Sequence, residues 1–170
     1  DTFFGDNPIC GQMGIPCELT LTEENGEYYL CANPAPECEK TVRETKTFTS
    51  VSLGEDSFTL PMDESAYILE LSLDGTQSAD ICIELFGQRI HLDGQKNALR
   101  VFDRTMPLSI TGSPTSVCIV IDKGSLEAFV GGGKAMMTVP WTLDFNQKSM
   151  TVSSSAKSVI EKLTVKKLAL

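Results

Sequence analysis

The chain has 170 residues, of which 41% are hydrophobic and 22% charged, the proportions of one ordinary globular domain. That composition excludes a disordered, collagen-like or coiled-coil chain, and no apolar run approaches the ~18 residues of a membrane helix. A net charge of −9 opposes phosphate backbones, so no nucleic-acid partner is expected. The densest basic group, Lys162, Lys166 and Lys167, reads as a solvated face.

Residues 1–10 read as the remnant of an inter-domain linker. Asp1–Asp6 has neither the basic start nor the apolar stretch of a signal peptide, so the N-terminus reads as cut from something longer. Leu19–Thr22 and Tyr28–Cys31 are strands joined across Asn25-Gly26, a strong hairpin signal. Glu37–Lys46 has room for one helical turn. Tyr67, Leu69, Leu71 and Leu73 then alternate with Ile68, Glu70 and Ser72, and Ile81, Ile83 and Leu85 alternate with Cys82 and Glu84. Asp74-Gly75 and Asp93-Gly94 end strands, and Arg89–Leu92 runs into the second of them.

Leu108-Ser109-Ile110 precedes a turn at Gly112-Ser113-Pro114, after which Val117, Ile119 and Ile121 form another stripe. Leu126–Val130 and Ala135–Val139 flank a hairpin loop at Gly131-Gly132-Gly133. In Ala156–Leu168, Val159, Ile160 and Leu163 also fit a helical face, but Leu163 and Val165 alternate with lysines and threonine, and the segment is read as a strand. The expected fold is all-β: a two-layer antiparallel β-sandwich of jelly-roll or concanavalin-like type, with little or no helix, in a single domain over 1–170. The second face of several strands is also apolar, as for strands near a core.

The side chains restrict the chemistry. His91 is the only histidine, and it reads as a strand residue running into a turn rather than a general base. Six cysteines (Cys10, Cys17, Cys31, Cys38, Cys82 and Cys118) have spacings too wide for a zinc knuckle. No metal site and no cofactor is expected. An even count permits disulfides, but a domain of this size does not require them. Free thiols are the expectation, and a cytoplasmic address is expected over a secreted one. In Asp122–Val130, Leu126 and Ala128 point one way while Glu127 and Phe129 point the other. A buried Glu127 needs a partner such as Arg100, Arg104 or Lys123.

Three patches carry a family resemblance. Gln12-Met13-Gly14-Ile15-Pro16-Cys17-Glu18-Leu19-Thr20-Leu21 looks like an M-x-x-P-R-E-L-x-L pattern, Val101–Thr105 is similar to a V-D-R-T/S strand, and Ile121–Val130 resembles V-D-x-S-S-V-E-V-F-V-N-D-G. Together they resemble the C-terminal β-sandwich domain of glycoside hydrolase family 32, the β-fructosidases (invertases, levanases, inulinases). The motif positions, with an implied structural role, are Pro16, Glu18, Leu19, Asp103, Arg104, Asp122, Ser125, Glu127 and Phe129. Cys17 stands where the family has Arg, Gly124 where it has the first Ser, and Gly131-Gly132-Gly133 where it has Asn-Asp-Gly.

In that family the two carboxylates that cleave the glycosidic bond lie in a separate five-bladed propeller, in motifs resembling W-x-N-D-P-N-G, R-D-P and E-C. This chain has no Asn-Asp-Pro and no Arg-Asp-Pro, and Glu37-Cys38 falls on the sandwich side. The resemblance implies a non-catalytic module, with no catalytic residue of its own. It would stabilise the catalytic propeller of a parent enzyme acting on sucrose or fructans, or mediate assembly such as a homodimer. That reading expects an exposed apolar patch on one face. The alternative is a lectin-like fructan-binding module, for which Trp141, Tyr28, Tyr67 and Glu127 are the candidate sugar contacts.

Overall fold

The computed structural model of the chain describes residues 14–73, 79–108, 115–140, 144 and 146–169. β1 (Cys17–Glu24) and β2 (Glu27–Pro34) form a hairpin closed by Asn25 and Gly26, both at positive φ, 55° and 83°. A 3-10 helix over Pro36–Thr41 follows, supplying the short turn expected in Glu37–Lys46. The chain continues as β3 (Val42–Leu53), β4 (Phe58–Pro61), β5 (Tyr67–Leu73), β6 (Ile81–Leu85), β7 (Gln88–Asp93) and β8 (Ala98–Val101). It closes with β9 (Arg104–Pro107), β10 (Thr115–Ile121), β11 (Ser125–Val130), β12 (Ala135–Pro140), β13 (Ser149–Ser154) and β14 (Ser158–Leu168).

Two six-stranded antiparallel sheets make the sandwich, in the orders β12-β11-β10-β5-β14-β3 and β4-β13-β6-β7-β8-β9. The core lies between them. Leu69, Leu71, Ile119, Ile121, Leu126 and Leu163 from the first sheet meet Ile83, Leu85, Ile90, Leu92, Leu99 and Val152 from the second. Each fully buried aliphatic side chain contributes about 2 kcal/mol by leaving water. The hairpin β1-β2 is a separate two-stranded sheet.

One local expectation shifts. Val101–Thr105 is not one strand: Phe102 (φ 53°) and Asp103 make the turn between β8 and β9. Leu108 is buried just beyond β9, and 109 and 110 lie outside the described residues.

The first sheet also buries part of its outer face. Ile68, Val120 and Phe129 form a second apolar island, covered by Ile15, Cys17, Cys38 and Leu168. The chain leading into β1 and the 3-10 helix therefore lie across the back of the sandwich. This accounts for the apolar residues on both faces of β5, β10 and β11.

Candidate functional site

Register sets which side chains of the hairpin share a face. Leu19 lies opposite Ala32, Leu21 opposite Leu30 and Glu23 opposite Tyr28. The four large apolar residues of this face are open to solvent: Leu19 63%, Leu21 70%, Tyr28 72% and Leu30 66% exposed. The opposite face turns toward the sandwich. There Cys31 is buried, and Lys134 pairs with Glu24 and lies 4.7 Å over the Tyr29 ring. The Ala32 N–H donates to the Gly133 carbonyl (2.9 Å), and Asn33 Nδ2 donates to the Gly132 carbonyl (2.9 Å). The β11-β12 loop thus clamps one face of the hairpin while the other holds an apolar stripe in water. Leu21 and Leu30 were not singled out by the sequence reading. The signal was available, because pairing across Asn25-Gly26 puts them face to face.

On the back of the first sheet, Glu127 is 2% exposed, and its Oε1 accepts the Ile15 N–H at 2.9 Å. Burial pushes this carboxyl up, the Ile15 N–H opposes, and the Asp122 charge adds to the rise. The partner is therefore a backbone donor of the leading segment, in place of Arg100, Arg104 or Lys123. Asp122 Oδ1 accepts the Lys123 N–H at 2.7 Å, and the Asp122 N–H donates to the Ser125 carbonyl at 2.9 Å, which sets the bend into β11. Ser125 and Phe129 are buried. The Pro16 carbonyl accepts the Ala35 N–H at 2.8 Å, and Glu18 is exposed opposite Asn33.

The other candidates lie apart. Tyr67 is buried; its hydroxyl donates to Asp63 Oδ1 (2.7 Å) and accepts from the Asp63 N–H (3.1 Å). Burial holds that phenol up at about 12. Asp103 and Arg104 are exposed at the β8-β9 turn. Trp141 lies outside the described residues. Tyr28, Tyr67 and Glu127 thus occupy three different places and do not converge on one surface. His91 is half-buried opposite Arg100, and burial, with the Arg100 and Arg89 charges, pushes it down. Cys17, Cys31, Cys38, Cys82 and Cys118 are free thiols; Cys10 lies outside the described residues. Among the described residues, no three of His, Cys, Asp or Glu are grouped to hold a metal ion.

No family model and no curated protein sequence matches the chain. Solved structures do. The exo-inulinase from Aspergillus awamori superposes with a TM-score of 0.73 at 18% identity, over 92% of this chain and 35% of that one. A β-fructofuranosidase from Schwanniomyces occidentalis, complexed with fructosyl-erythritol, gives 0.66 at 13% identity, over 91% of this chain and 40% of that one. Sucrose-6-phosphate hydrolase from Lactobacillus gasseri gives 0.63 at 13% identity, over 89% and 33%. The chain thus has a sandwich fold shared with glycoside hydrolase family 32 and β-fructosidase-type enzymes, and it spans about a quarter to two fifths of their length.

Proposed function

We propose that the chain is the non-catalytic C-terminal sandwich of a β-fructoside-cleaving glycosidase, and that it stabilises the catalytic propeller by docking on it. The observation that carries this reading is the hairpin face of Leu19, Leu21, Tyr28 and Leu30, each more than three fifths exposed. A contiguous apolar stripe on a two-stranded ribbon is costly in water and marks a contact surface. The carboxylates support the reading as well. Glu127 and Asp122 are engaged by the backbone donors of Ile15 and Lys123, and Glu127 is sealed beneath the leading segment. Retaining hydrolysis needs two carboxyl groups about 5 Å apart flanking an open sugar site.

The test is to express the catalytic portion of the same gene separately and mix it with this chain. A complex at micromolar concentration, with a raised melting temperature of the catalytic portion, is the expected result. No complex at ~100 μM, or fructose released from sucrose or inulin by this chain alone, would sink the proposal. A fructan-binding role rests on Tyr28, exposed directly opposite Glu23. Calorimetric titration with inulin and levan tests it, and no heat at millimolar ligand removes it.

A further inference from the structure

The hydrogen-bonding pattern of the hairpin says more than its exposed face. The Ala35 N–H donates to the Pro16 carbonyl, so the pair 16/35 is a bonded pair of the antiparallel ladder. Bonded and non-bonded pairs alternate, which makes Leu19/Ala32 a non-bonded pair. Two observations agree. The Ala32 N–H points away from β1, to the Gly133 carbonyl, and Pro34, opposite Cys17, has no N–H to give. Leu19, Leu21 and Glu23 therefore direct their N–H and C=O groups outward from β1. Among the described residues no strand pairs with that edge.

An open edge of this kind is normally blunted. Three of the four edge strands of the sandwich, β4, β9 and β12, end in prolines, at Pro61, Pro107 and Pro140. β1 has neither proline nor lysine within Cys17–Glu24, has an unbroken register, and carries Leu19 and Leu21 exposed beside its free backbone groups. Donors, acceptors and apolar side chains are thus presented together, which is what an added strand requires.

We infer that β1 is the docking seam itself: its outward N–H and C=O groups at Leu19, Leu21 and Glu23 pair with an extended strand of the catalytic domain, continuing the hairpin into a larger sheet. This rests on the docking role proposed above. Charge selects the occupant. The edge is flanked by Glu18, Glu23, Glu24 and Glu27, and each copy carries −9, so a second copy would bring like charges together. The strand that fits has alternate apolar side chains and no acidic residues opposite Glu18 and Glu23.

Amide hydrogen exchange on the full chain, alone and with the separately expressed catalytic portion of the same gene, tests this. Alone, the Leu19, Leu21 and Glu23 amides exchange fast while Thr20 and Thr22, bonded across to β2, exchange slowly. In the complex the first three slow by at least tenfold. Leu21→Ala removes the side chain only, whereas Leu21→Pro removes the outward N–H as well. The proline variant is expected to bind at least tenfold more weakly than the alanine variant, with the melting temperature of the free chain alike in both. Leu30→Pro and Leu30→Ala on β2 bind alike. Fast exchange at Leu19 and Leu21 in an intact complex overturns the seam and leaves docking standing. Equal binding by the two Leu21 variants does the same. A dimer of the chain alone that Leu21→Pro dissolves assigns the edge to a second copy and overturns it too. No complex with the unaltered chain removes the docking role, and the seam with it.

Discussion

Gly133 packs so closely against Ala32 that a methyl group built on it would lie 2.3 Å from the Ala32 carbonyl oxygen. The same glycine accepts the Ala32 N–H at 2.9 Å and has a φ of 87°. Gly133→Ala must therefore push the hairpin off the β11-β12 loop. Positive φ costs about 1–2 kcal/mol and the lost hydrogen bond about 1 kcal/mol. The neighbouring Gly132 also has positive φ, 68°, but open space around it, so Gly132→Ala bears only the conformational cost. Urea denaturation should show Gly133→Ala losing about 1 kcal/mol or more beyond Gly132→Ala, with faster exchange at the Ala32 amide. Equal losses would rule out the clamp.

Glu127 ties the leading segment to the back of the sandwich, and its raised proton affinity sets a sign. The folded state holds the protonated form more tightly than the unfolded chain does. That contribution is full below the ordinary carboxylate range and is lost as pH rises through the folded value. Glu127→Gln stays neutral and keeps an acceptor for the Ile15 N–H. It should raise stability relative to the native chain at pH 7, with the gain gone near pH 4. Glu127→Ala leaves that N–H with no acceptor and should lose about 1–3 kcal/mol at pH 4, where the carboxyl is protonated. Glutamine destabilising at pH 7 as much as alanine would contradict this.

How much of this was legible depends on where each partner comes from. Strands β5, β6 and β10 were plain because a sandwich core takes alternate residues: Leu69 and Leu71, Ile81 and Ile83, Ile119 and Ile121 are all buried. β14 was ambiguous for a physical reason. Its pairing with β5 shifts between Ile160 and Lys162, so Ile160 and Leu163, three apart, both enter the core and imitate a helical spacing. The Glu127 partner was not legible at all. It is a backbone N–H 112 residues away, a donor that nearly every residue type supplies. The stripe of Leu19, Leu21 and Leu30 reads the same in sequence whether a core or a partner covers it, and only the fold leaves it bare.

Asp63 and Tyr67 give a second pH signature, of opposite sign. The Lys167 ammonium, then the Tyr67 and Ser65 hydroxyls, hold the Asp63 carboxyl well below the usual carboxylate range. The stability this adds is present above that range and is lost as pH falls. Lys167 and Asp63 are both partly exposed, so solvent screens the pair and Asp63→Asn should lose only about 0.5–1 kcal/mol at pH 7. Its acid limb should be flatter between pH 4 and pH 2 than that of the native chain. Tyr67→Phe removes a buried hydroxyl bonded to Asp63 and should lose about 1 kcal/mol. An unchanged acid limb in Asp63→Asn would show that Asp63 has no part in acid unfolding.

Thiol reactivity tests the covering of the first sheet from another side. Burial, with Glu70 adding to it, pushes the Cys118 thiol up to about 12. Cys17 and Cys38 are also raised, again by burial first, with Glu127 acting on Cys17 and Glu37 on Cys38. The thiolate is the reacting form, so iodoacetamide at pH 8 should label native Cys118 on the order of 10³-fold more slowly than the unfolded chain. Cys17 and Cys38, half-buried at the rim of the same island, should react faster than Cys118 but still below the unfolded rate. Peptide mapping by mass spectrometry after timed labelling separates them. Glu127→Ala frees the Ile15 N–H and loosens the segment over the island, so it should speed labelling of Cys17 and leave Cys82, in the other sheet, unchanged. Equal acceleration at Cys82 would mean that the substitution loosens the whole sandwich, and that Glu127 is no local latch.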